Sequence, residues 1–304
     1  MIRETLWLLD VSVDVSIYAL LALSVNLVNG HARMFHVGHH GIVAAGAFAA
    51  ALSARALEGA VPGPLGLLLS LGAAAAVAGA AGVAMALPCI RVRGDYLAIT
   101  TLGLGEILQR GIANLQAQAL PVPRLLMTVG PATKLPYRAA FLLLGAVCCV
   151  LAAVAVRNAI RSGPGRRLLA VAQDETAARL SGIEPVPPRV AAIAAGAAGA
   201  GLAGGLLVSY GGTVAADDFT ILLTVKLLLI VVLGGRGSQA GCVLGAAIFV
   251  ILERLLDRTG GVLYEWWQVE YPLVLALLLL LRPNGILGGR ELGELTSRAT
   301  AGSR

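Results

Sequence analysis

Residues 217–246 read DDFTILLTVKLLLIVVLGGRGSQAGCVLGA, which is an apolar run, a glycine-rich turn and the start of a second apolar run. Such runs are typical of helices that enter or cross a bilayer, because a spanning helix needs about 20 predominantly apolar residues. Gly237, Gly241 and Gly245 recur at every fourth position, a spacing that lets two membrane helices approach closely. The stretch therefore predicts two membrane helices joined by a re-entrant or interfacial turn.

The composition extends this prediction to the whole chain of 304 residues. Hydrophobic residues make up 58% of it and charged residues 13%, with a mean hydropathy of +0.83, so a soluble globule would lack the polar residues to cover its surface. The apolar runs lie at 11–29, 41–57, 64–88, 95–115, 139–156, 190–213, 219–234, 240–256 and 268–282. We predict an all-α fold, a single polytopic transmembrane helix bundle over residues 1–304 with about eight to ten spans, some broken or re-entrant.

Several runs are rich in glycine and alanine rather than leucine, which indicates close packing of helix on helix in a membrane. We favour a role in packing or turns over direct contact with a substrate for these glycines. They are Gly201, Gly205, Gly234, Gly235, Gly237, Gly241 and Gly245.

Residues 157–189 interrupt the apolar pattern with a series of arginines, and the positive-inside rule places such a loop in the cytoplasm. Four apolar runs follow this loop, an even number, so the tail at 289–304 lies on the same side; we expect this tail to be disordered. Five runs precede the loop, an odd number, so the N-terminus lies outside. A short helix is predicted within the loop at 165–180, ending before Gly182. This helix is either a docking surface for a partner or a helix lying on the membrane interface.

The sequence carries none of the usual catalytic motifs: there is no HExxH, no GxSxG and no Walker A sequence. ATP-driven work would therefore have to come from a partner. The four histidines, His31, His36, His39 and His40, lie in NGHARMFHVGHHGIVAAGAF (29–48) and leave one alternative, a metal-binding protein or intramembrane enzyme. No acidic or thiol side chain lies nearby in sequence to complete a metal site.

Four segments in this order resemble the permease subunits of branched-chain amino acid ABC transporters, of the LivM-like type. Residues 91–115 (RVRGDYLAITTLGLGEILQRGIANL) match a Gly-Asp-Tyr-Leu-Ala-Ile and Gly-x-Gly-Glu-Ile pattern, and residues 165–183 (GRRLLAVAQDETAARLSGI) resemble the family's cytoplasmic loop. Residues 217–246 resemble its Ser-Phe-Thr run followed by Val-Val-Leu-Gly-Gly-x-Gly-Ser, and residues 281–288 (LRPNGILG) its C-terminal signature.

The resemblance implies a chain without enzymatic activity or cofactor that works inside a larger transporter. Its expected partners are a second, LivH-like permease subunit, two ATP-binding subunits that hold ATP and Mg²⁺, and an external solute-binding protein; no nucleic acid is expected. It would be a multi-pass protein of the bacterial inner membrane, with residues 157–189 and the C-terminus cytoplasmic. Branched-chain or other hydrophobic amino acids are the expected substrates, and urea, short amides and aromatic acids stay open.

In that family the loop helix is the coupling element that seats in a groove of the ATPase. The resemblance carries this role to Asp174, Glu175, Ala178, Gly182 and Ile183. We expect the two carboxylates to pair with basic residues of the ATPase. The small Ala178 and Gly182 are expected to permit close approach.

His39 falls on the family's histidine after the first membrane run, so we expect it at the entry to a broken membrane helix. The candidate residues of a translocation path are His39, Gly94, Asp95, Tyr96, Glu106 and Lys226. Lys226 departs from the family pattern and is costly inside a membrane run, so we hypothesise that it pairs with Glu106. The loop at 119–136 also departs from the family, which weakens any transfer of substrate identity.

Overall fold

The computed structural model describes residues 2–89, 92, 94–115, 119–123, 134–259, 273, 277, 280, 285 and 286. Most of the predicted run at 268–282, all of the predicted tail at 289–304 and part of the loop at 119–136 therefore lie outside the described residues.

The described chain is almost entirely helical, which confirms the predicted all-α fold. Its helices are α1 Ile2–Val25, α2 His39–Leu57, α3 Gly63–Cys89, α4 Asp95–Leu115, α5 Lys134–Arg161, α6 Gly163–Gln173, α7 Glu175–Leu180, α8 Val186–Gly211, α9 Ile221–Gly234 and α10 Gln239–Thr259. A π-helical turn, Asn26–His31, prolongs α1, and a 3-10 turn, Ala216–Asp218, precedes α9. The strands β1 Leu120–Pro121 and β2 Thr213–Val214 pair antiparallel.

Eight of the nine predicted apolar runs coincide with helices. Six described helices, α1 with its π turn, α2, α3, α5, α8 and α10, are long and apolar enough to cross a membrane. The 14 residues of α9 would reach only about 21 Å, less than the roughly 30 Å of a bilayer core. After α9 the chain turns back and continues as α10, and a re-entrant position of this turn in the membrane stays a prediction.

Small residues bring α2 and α3 against α8 at the centre of the bundle. A methyl group added to Gly46 would lie 2.3 Å from Cα of Gly201, and one added to Gly201 would lie 2.4 Å from the carbonyl oxygen of Ala74. A methyl group on Gly205 would meet Leu71 at 3.0 Å. These helices are therefore in backbone contact, and larger side chains at these glycines would separate them.

Close backbone contacts at glycines also join α9 to α10. A methyl group on Gly234 would lie 2.0 Å from the carbonyl oxygen of Gly241, and one on Gly245 would lie 2.4 Å from that of Ile230. Gly235 and Gly237 form the turn between the two helices with φ of 113° and 83°, values that favour glycine.

The two ends of the bundle are distinguished by residues 162–185, which carry α6 and α7; we call that end the loop face. Asp10 in the first half of α1 forms an ion pair of 2.9 Å with Arg138 at the start of α5. It also accepts a hydrogen bond from Tyr210 at the end of α8. Because α5 runs towards the loop face and α8 runs away from it, the start of α1 lies at the opposite end.

Candidate functional site

A group of buried polar side chains lies where α2 begins inside the bundle, between α1, α4 and α9. We call it the central polar cluster and define it as Ser24, His36, His39, His40, Thr101, Glu106 and Thr224. The three histidines are each 2% exposed or less. Polar groups at this depth are costly and are typically retained for function in membrane proteins.

His39 and His40 are the first two residues of α2 and face different neighbours. Nε2 of His39 lies 3.2 Å from Oγ of Ser24 on α1. The backbone N–H of His40 donates to Oγ1 of Thr224 on α9 at 2.9 Å, and its ring Nδ1 lies 3.1 Å from the same oxygen. The start of α2 is therefore tied to two other helices by hydroxyl groups.

Several ring nitrogens of the cluster have no hydrogen-bond partner within the described protein. They are Nδ1 and Nε2 of His36, Nδ1 of His39 and Nε2 of His40. The His36 ring lies edge-on to that of His39 with centroids 5.5 Å apart. Each buried polar group without a partner costs about 1–3 kcal/mol, so these ring nitrogens do not contribute to the stability of the bundle.

The cluster can form because glycines allow α4 to approach the start of α2. A methyl group on Gly38 would lie 2.0 Å from the carbonyl oxygen of Thr101, and one on Gly41 would lie 2.3 Å from that of Gly105. The hydroxyl of Thr101 also accepts a hydrogen bond of 3.0 Å from the backbone N–H of Val37. Backbone contact thus places α4 beside the histidines.

Glu106 on α4 connects the buried histidines to a more open surface. One carboxylate oxygen lies 3.6 Å from Nε2 of His40, and the other accepts a hydrogen bond of 2.7 Å from Nε of Arg110 one turn later. The Glu106 side chain is 37% exposed and that of Arg110 is 74% exposed. A carboxylate and a guanidinium are therefore presented together at the edge of the cluster.

The predicted pair between Glu106 and Lys226 is wrong. Nζ of Lys226 donates to both carboxylate oxygens of Glu253 on α10, at 2.8 and 2.6 Å, and lies 4.1 Å from the centre of the Tyr18 ring. The reason is the orientation of α9, which turns Thr224 towards α2 and Lys226, two residues later, towards α1 and α10.

The remaining predicted path residues do not join the cluster. Gly94 and Tyr96 are exposed at the loop-face end of α4, and the side chain of Asp95 lies outside what the structure describes. Tyr96 is 75% exposed. Of the predicted path residues whose side chains the structure describes, His39 and Glu106 lie in the cluster, and each is next to His40, the first in sequence and the second at 3.6 Å.

The predicted single helix at 165–180 is also wrong, because the chain forms two helices that break at Asp174. The Asp174 carboxylate accepts hydrogen bonds from the backbone N–H groups of Thr176 and Ala177 at 2.8 and 3.0 Å. This N-cap begins α7, and the predicted use of Asp174 as a charge for the ATPase stays a prediction. Leu180, the last residue of α7, is 86% exposed.

Glu175 forms two ion pairs within the chain, and its predicted pairing with the ATPase stays a prediction. Its carboxylate binds Arg179 at 2.8 Å and Arg189 at 2.9 Å, which fixes α7 to the start of α8. Ala178 is buried, so it does not contribute to an outer surface.

Gly182 and Ile183 end α7 with a tight left-handed turn. The backbone N–H of Ile183 donates to the carbonyl oxygen of Ala178 at 2.9 Å, that of Gly182 donates to Arg179 at 3.0 Å, and φ of Gly182 is 78°. This is a Schellman motif. A methyl group on Gly182 would meet nothing within 4 Å of the described chain, so within the chain this glycine serves the turn; its predicted close approach to the ATPase stays a prediction.

Sequence reasoning missed four residues of these sites: His40, Thr224, Glu253 and Leu180. Glu253 carried a usable signal, since it is an acidic residue inside the apolar run at 240–256 just as Lys226 is a basic one at 219–234. Thr224 carried none, because a threonine is unremarkable in an apolar run. The exposure of Leu180 follows from the break at Asp174, which shifts the helical phase of the residues after it.

Membrane-length helices, a helix that begins inside the bundle at buried polar groups, and a capped helix pair at one end together define a multi-pass membrane transport protein. Comparison with known sequences gives the family. The sequence model described as "Branched-chain amino acid transport system / permease component" matches residues 7–282. The chain belongs to this family of permeases.

Named relatives agree with this assignment. The chain is 32% identical to the high-affinity branched-chain amino acid transport system permease protein LivM of Escherichia coli K12, over 91% of this chain and 69% of the relative. It is 31% identical to the LivM protein of Salmonella typhimurium over the same shares. A probable LivM protein of Methanocaldococcus jannaschii is 27% identical over 73% of this chain and 68% of the relative. No solved structure matches the chain.

Proposed function

We propose that this chain is one of two membrane-spanning subunits of an ATP-binding-cassette importer for branched-chain amino acids in a bacterial inner membrane. The observation that carries the proposal is its similarity to LivM permeases along 91% of its length. A LivH-like permease would form the other half, two ATPase subunits would bind ATP and Mg²⁺, and an external binding protein would deliver the substrate. The chain itself performs no bond chemistry.

The helix α7 would be the coupling element, with residues 157–189 and the C-terminus in the cytoplasm. It is held rigidly by the Asp174 cap, the two ion pairs of Glu175 and the turn at Gly182. A rigid connection is needed if movement of an ATPase is to rock the membrane helices and alternate access to the path. Leu180 would be the apolar contact with the ATPase, since a leucine with 86% exposure on a fixed helix is suited to fill a pocket.

The substrate would pass beside the central polar cluster. A branched-chain amino acid is a zwitterion with an apolar side chain, and Glu106 with Arg110 offers the complementary pair of charges 2.7 Å apart on one face of α4. The unpartnered ring nitrogens next to Glu106 would exchange hydrogen bonds with the passing carboxylate and ammonium groups. Such weak, replaceable contacts lower the barrier to entry without trapping the substrate.

The coupling assignment is tested by ATP-driven leucine uptake into proteoliposomes that contain the complete transporter. Replacement of Leu180 by Ala should lower uptake about tenfold while the ATPase subunits keep a basal hydrolysis rate. The matched control is Leu143→Ala, at a leucine of α5 that is 67% exposed away from the loop face. Unchanged uptake in the Leu180 variant would contradict the assignment of α7.

Substrate class is tested in the same proteoliposomes by competition. Excess unlabelled leucine, isoleucine or valine should abolish uptake of labelled leucine, and excess urea or acetamide should leave it unchanged. Competition by urea but not by valine would contradict the proposed substrate.

A further inference from the structure

A cavity of about 610 Å³ opens at the loop face between the end of α1, α6 and the turn from α9 to α10. Its volume lies in the range of roughly 300–1,000 Å³ typical of small-molecule sites. We propose that it binds an organic monoanion with a short apolar tail, held by Arg33 and Arg236. The cavity is separate from the central polar cluster, and this proposal does not depend on the transport proposal.

The charge of the cavity has one sign. Arg33, Arg236 and His31 line it, and no carboxylate is present among its described lining residues. Neither guanidinium has an ion-pair or hydrogen-bond partner within the part of the chain that the structure describes. On the same face Arg179 and Arg189 are both engaged by Glu175. Unengaged guanidinium groups at a cavity are suited to bind a carboxylate or a phosphate.

A second part of the cavity lining is apolar. It is formed by Phe35, by Leu169 of α6 and by Leu228, Val231 and Val232 of α9. Phe35 is 49% exposed beside the cavity, so an apolar group bound there would cover part of its ring. A ligand with an anionic head and a branched aliphatic tail would satisfy both parts of the lining.

The backbone around the cavity is unusual in two ways. Among the described residues Arg33 is the one non-glycine with a positive φ, at 50°. It lies two residues after the π-helical turn Asn26–His31, whose Asn29 and Gly30 line the cavity. Strained residues and π-helical turns both occur preferentially at ligand sites, and here both serve to place one arginine at the rim.

The cavity should discriminate against zwitterions. An amino acid would bring an ammonium group for which the described lining holds no carboxylate, whereas the corresponding 2-oxo acid would not. An anionic phospholipid offers the same chemistry, a negative head and an aliphatic tail. The shared ligand class is therefore a monoanionic amphiphile, either free or from the adjacent leaflet.

The test is binding of 4-methyl-2-oxopentanoate to the full chain in phosphatidylcholine nanodiscs, measured by saturation-transfer NMR, with leucine as the zwitterionic counterpart. We expect saturable binding of the oxo acid, at least tenfold weaker binding of leucine, and at least a tenfold loss for the double variant Arg33→Gln with Arg236→Gln. Leu169→Gln should weaken binding several-fold through the apolar wall. The matched control is Arg161→Gln, at an exposed arginine at the loop-face end of α5. This variant should bind the oxo acid as the wild type does.

Phosphatidylglycerol nanodiscs distinguish the two sources of the anion. If the natural occupant is a lipid, the wild type but not the double variant should retain phosphatidylglycerol in native mass spectrometry, and oxo-acid binding should weaken. If the occupant is a free carboxylate, oxo-acid affinity should be the same in both discs. Either result supports the site. The absence of both oxo-acid binding and retained lipid, equal binding by a folded double variant, or leucine binding as tightly as the oxo acid would overturn it.

Discussion

Two regions of this permease bury polar side chains in opposite ways. Along α1, α9 and α10 the charges are paired: the buried Lys226 binds Glu253 at 2.6 Å, the buried Asp14 binds Arg254 at 2.9 Å, and the exposed Arg258 binds Glu4 at 2.7 Å nearby. We call this the partnered face. In the central polar cluster, by contrast, both ring nitrogens of His36 and Nδ1 of His39 have no hydrogen-bond partner in the described protein, and Nε2 of His40 faces the Glu106 carboxylate at 3.6 Å. The first region therefore holds the bundle together, and the transport proposal assigns contact with the substrate to the second.

The largest effect on stability is expected at the partnered face. Replacement of Glu253 by Ala leaves the Lys226 ammonium buried without a carboxylate, and should lower the free energy of unfolding by about 3 kcal/mol. The measurement is equilibrium unfolding of the purified chain in mixed micelles.

The control for this prediction removes both charges, as Lys226→Met with Glu253→Leu. Because an apolar pair of similar volume often replaces a buried ion pair without loss, the double variant should unfold close to the wild type. Equal destabilisation of the single and double variants would mean that the site depends on packing rather than on the charge pair.

A smaller effect is expected where the cluster does make hydrogen bonds. Thr224→Val keeps the shape of the side chain but leaves the buried backbone N–H of His40 without its acceptor, so stability should fall by about 1–2 kcal/mol in the same assay. Thr176→Val, at an exposed threonine of α7, is the control and should change stability by less than about 0.5 kcal/mol. No difference between the two variants would show that Thr224 does not hold the start of α2.

The smallest effect on stability is expected at His36. Its ring nitrogens have no partner, and its hydrogen bonds with Asn29 use only its backbone. Replacement of His36 by Leu should therefore leave the free energy of unfolding within about 1 kcal/mol of the wild type or raise it. Leucine uptake by the assembled transporter should nevertheless fall, and a large loss of stability with normal uptake would reverse the interpretation.

The helices were predictable from the sequence because each apolar run is long enough to form a membrane helix whatever packs against it. The direction of α1 was also predictable, since the arginines of residues 157–189 mark one end and the number of preceding runs gives the other. These properties depend on local composition.

The partners of the charged residues were not predictable, because a run does not reveal which way its helix is turned. Lys226 and Glu106 both lie inside apolar runs. Thr224 and Lys226, however, are two residues apart on α9 and lie about half a turn apart around the helix, so only Thr224 faces α2 and the helix α4 that carries Glu106. In the loop, the Asp174 side chain binds backbone N–H groups and starts a new helix, so α6 does not continue. In this new helix Glu175 forms ion pairs within the chain and Leu180 is exposed.

The most direct test of the central claim is leucine uptake by the reconstituted transporter with His39 replaced by Ala, measured with and without a metal chelator. A path beside the central polar cluster predicts that the substitution lowers uptake at least tenfold in a chain that folds and assembles normally, and that the chelator changes nothing in the wild type. Normal uptake by the His39 variant, or loss of wild-type uptake in the chelator, would contradict it.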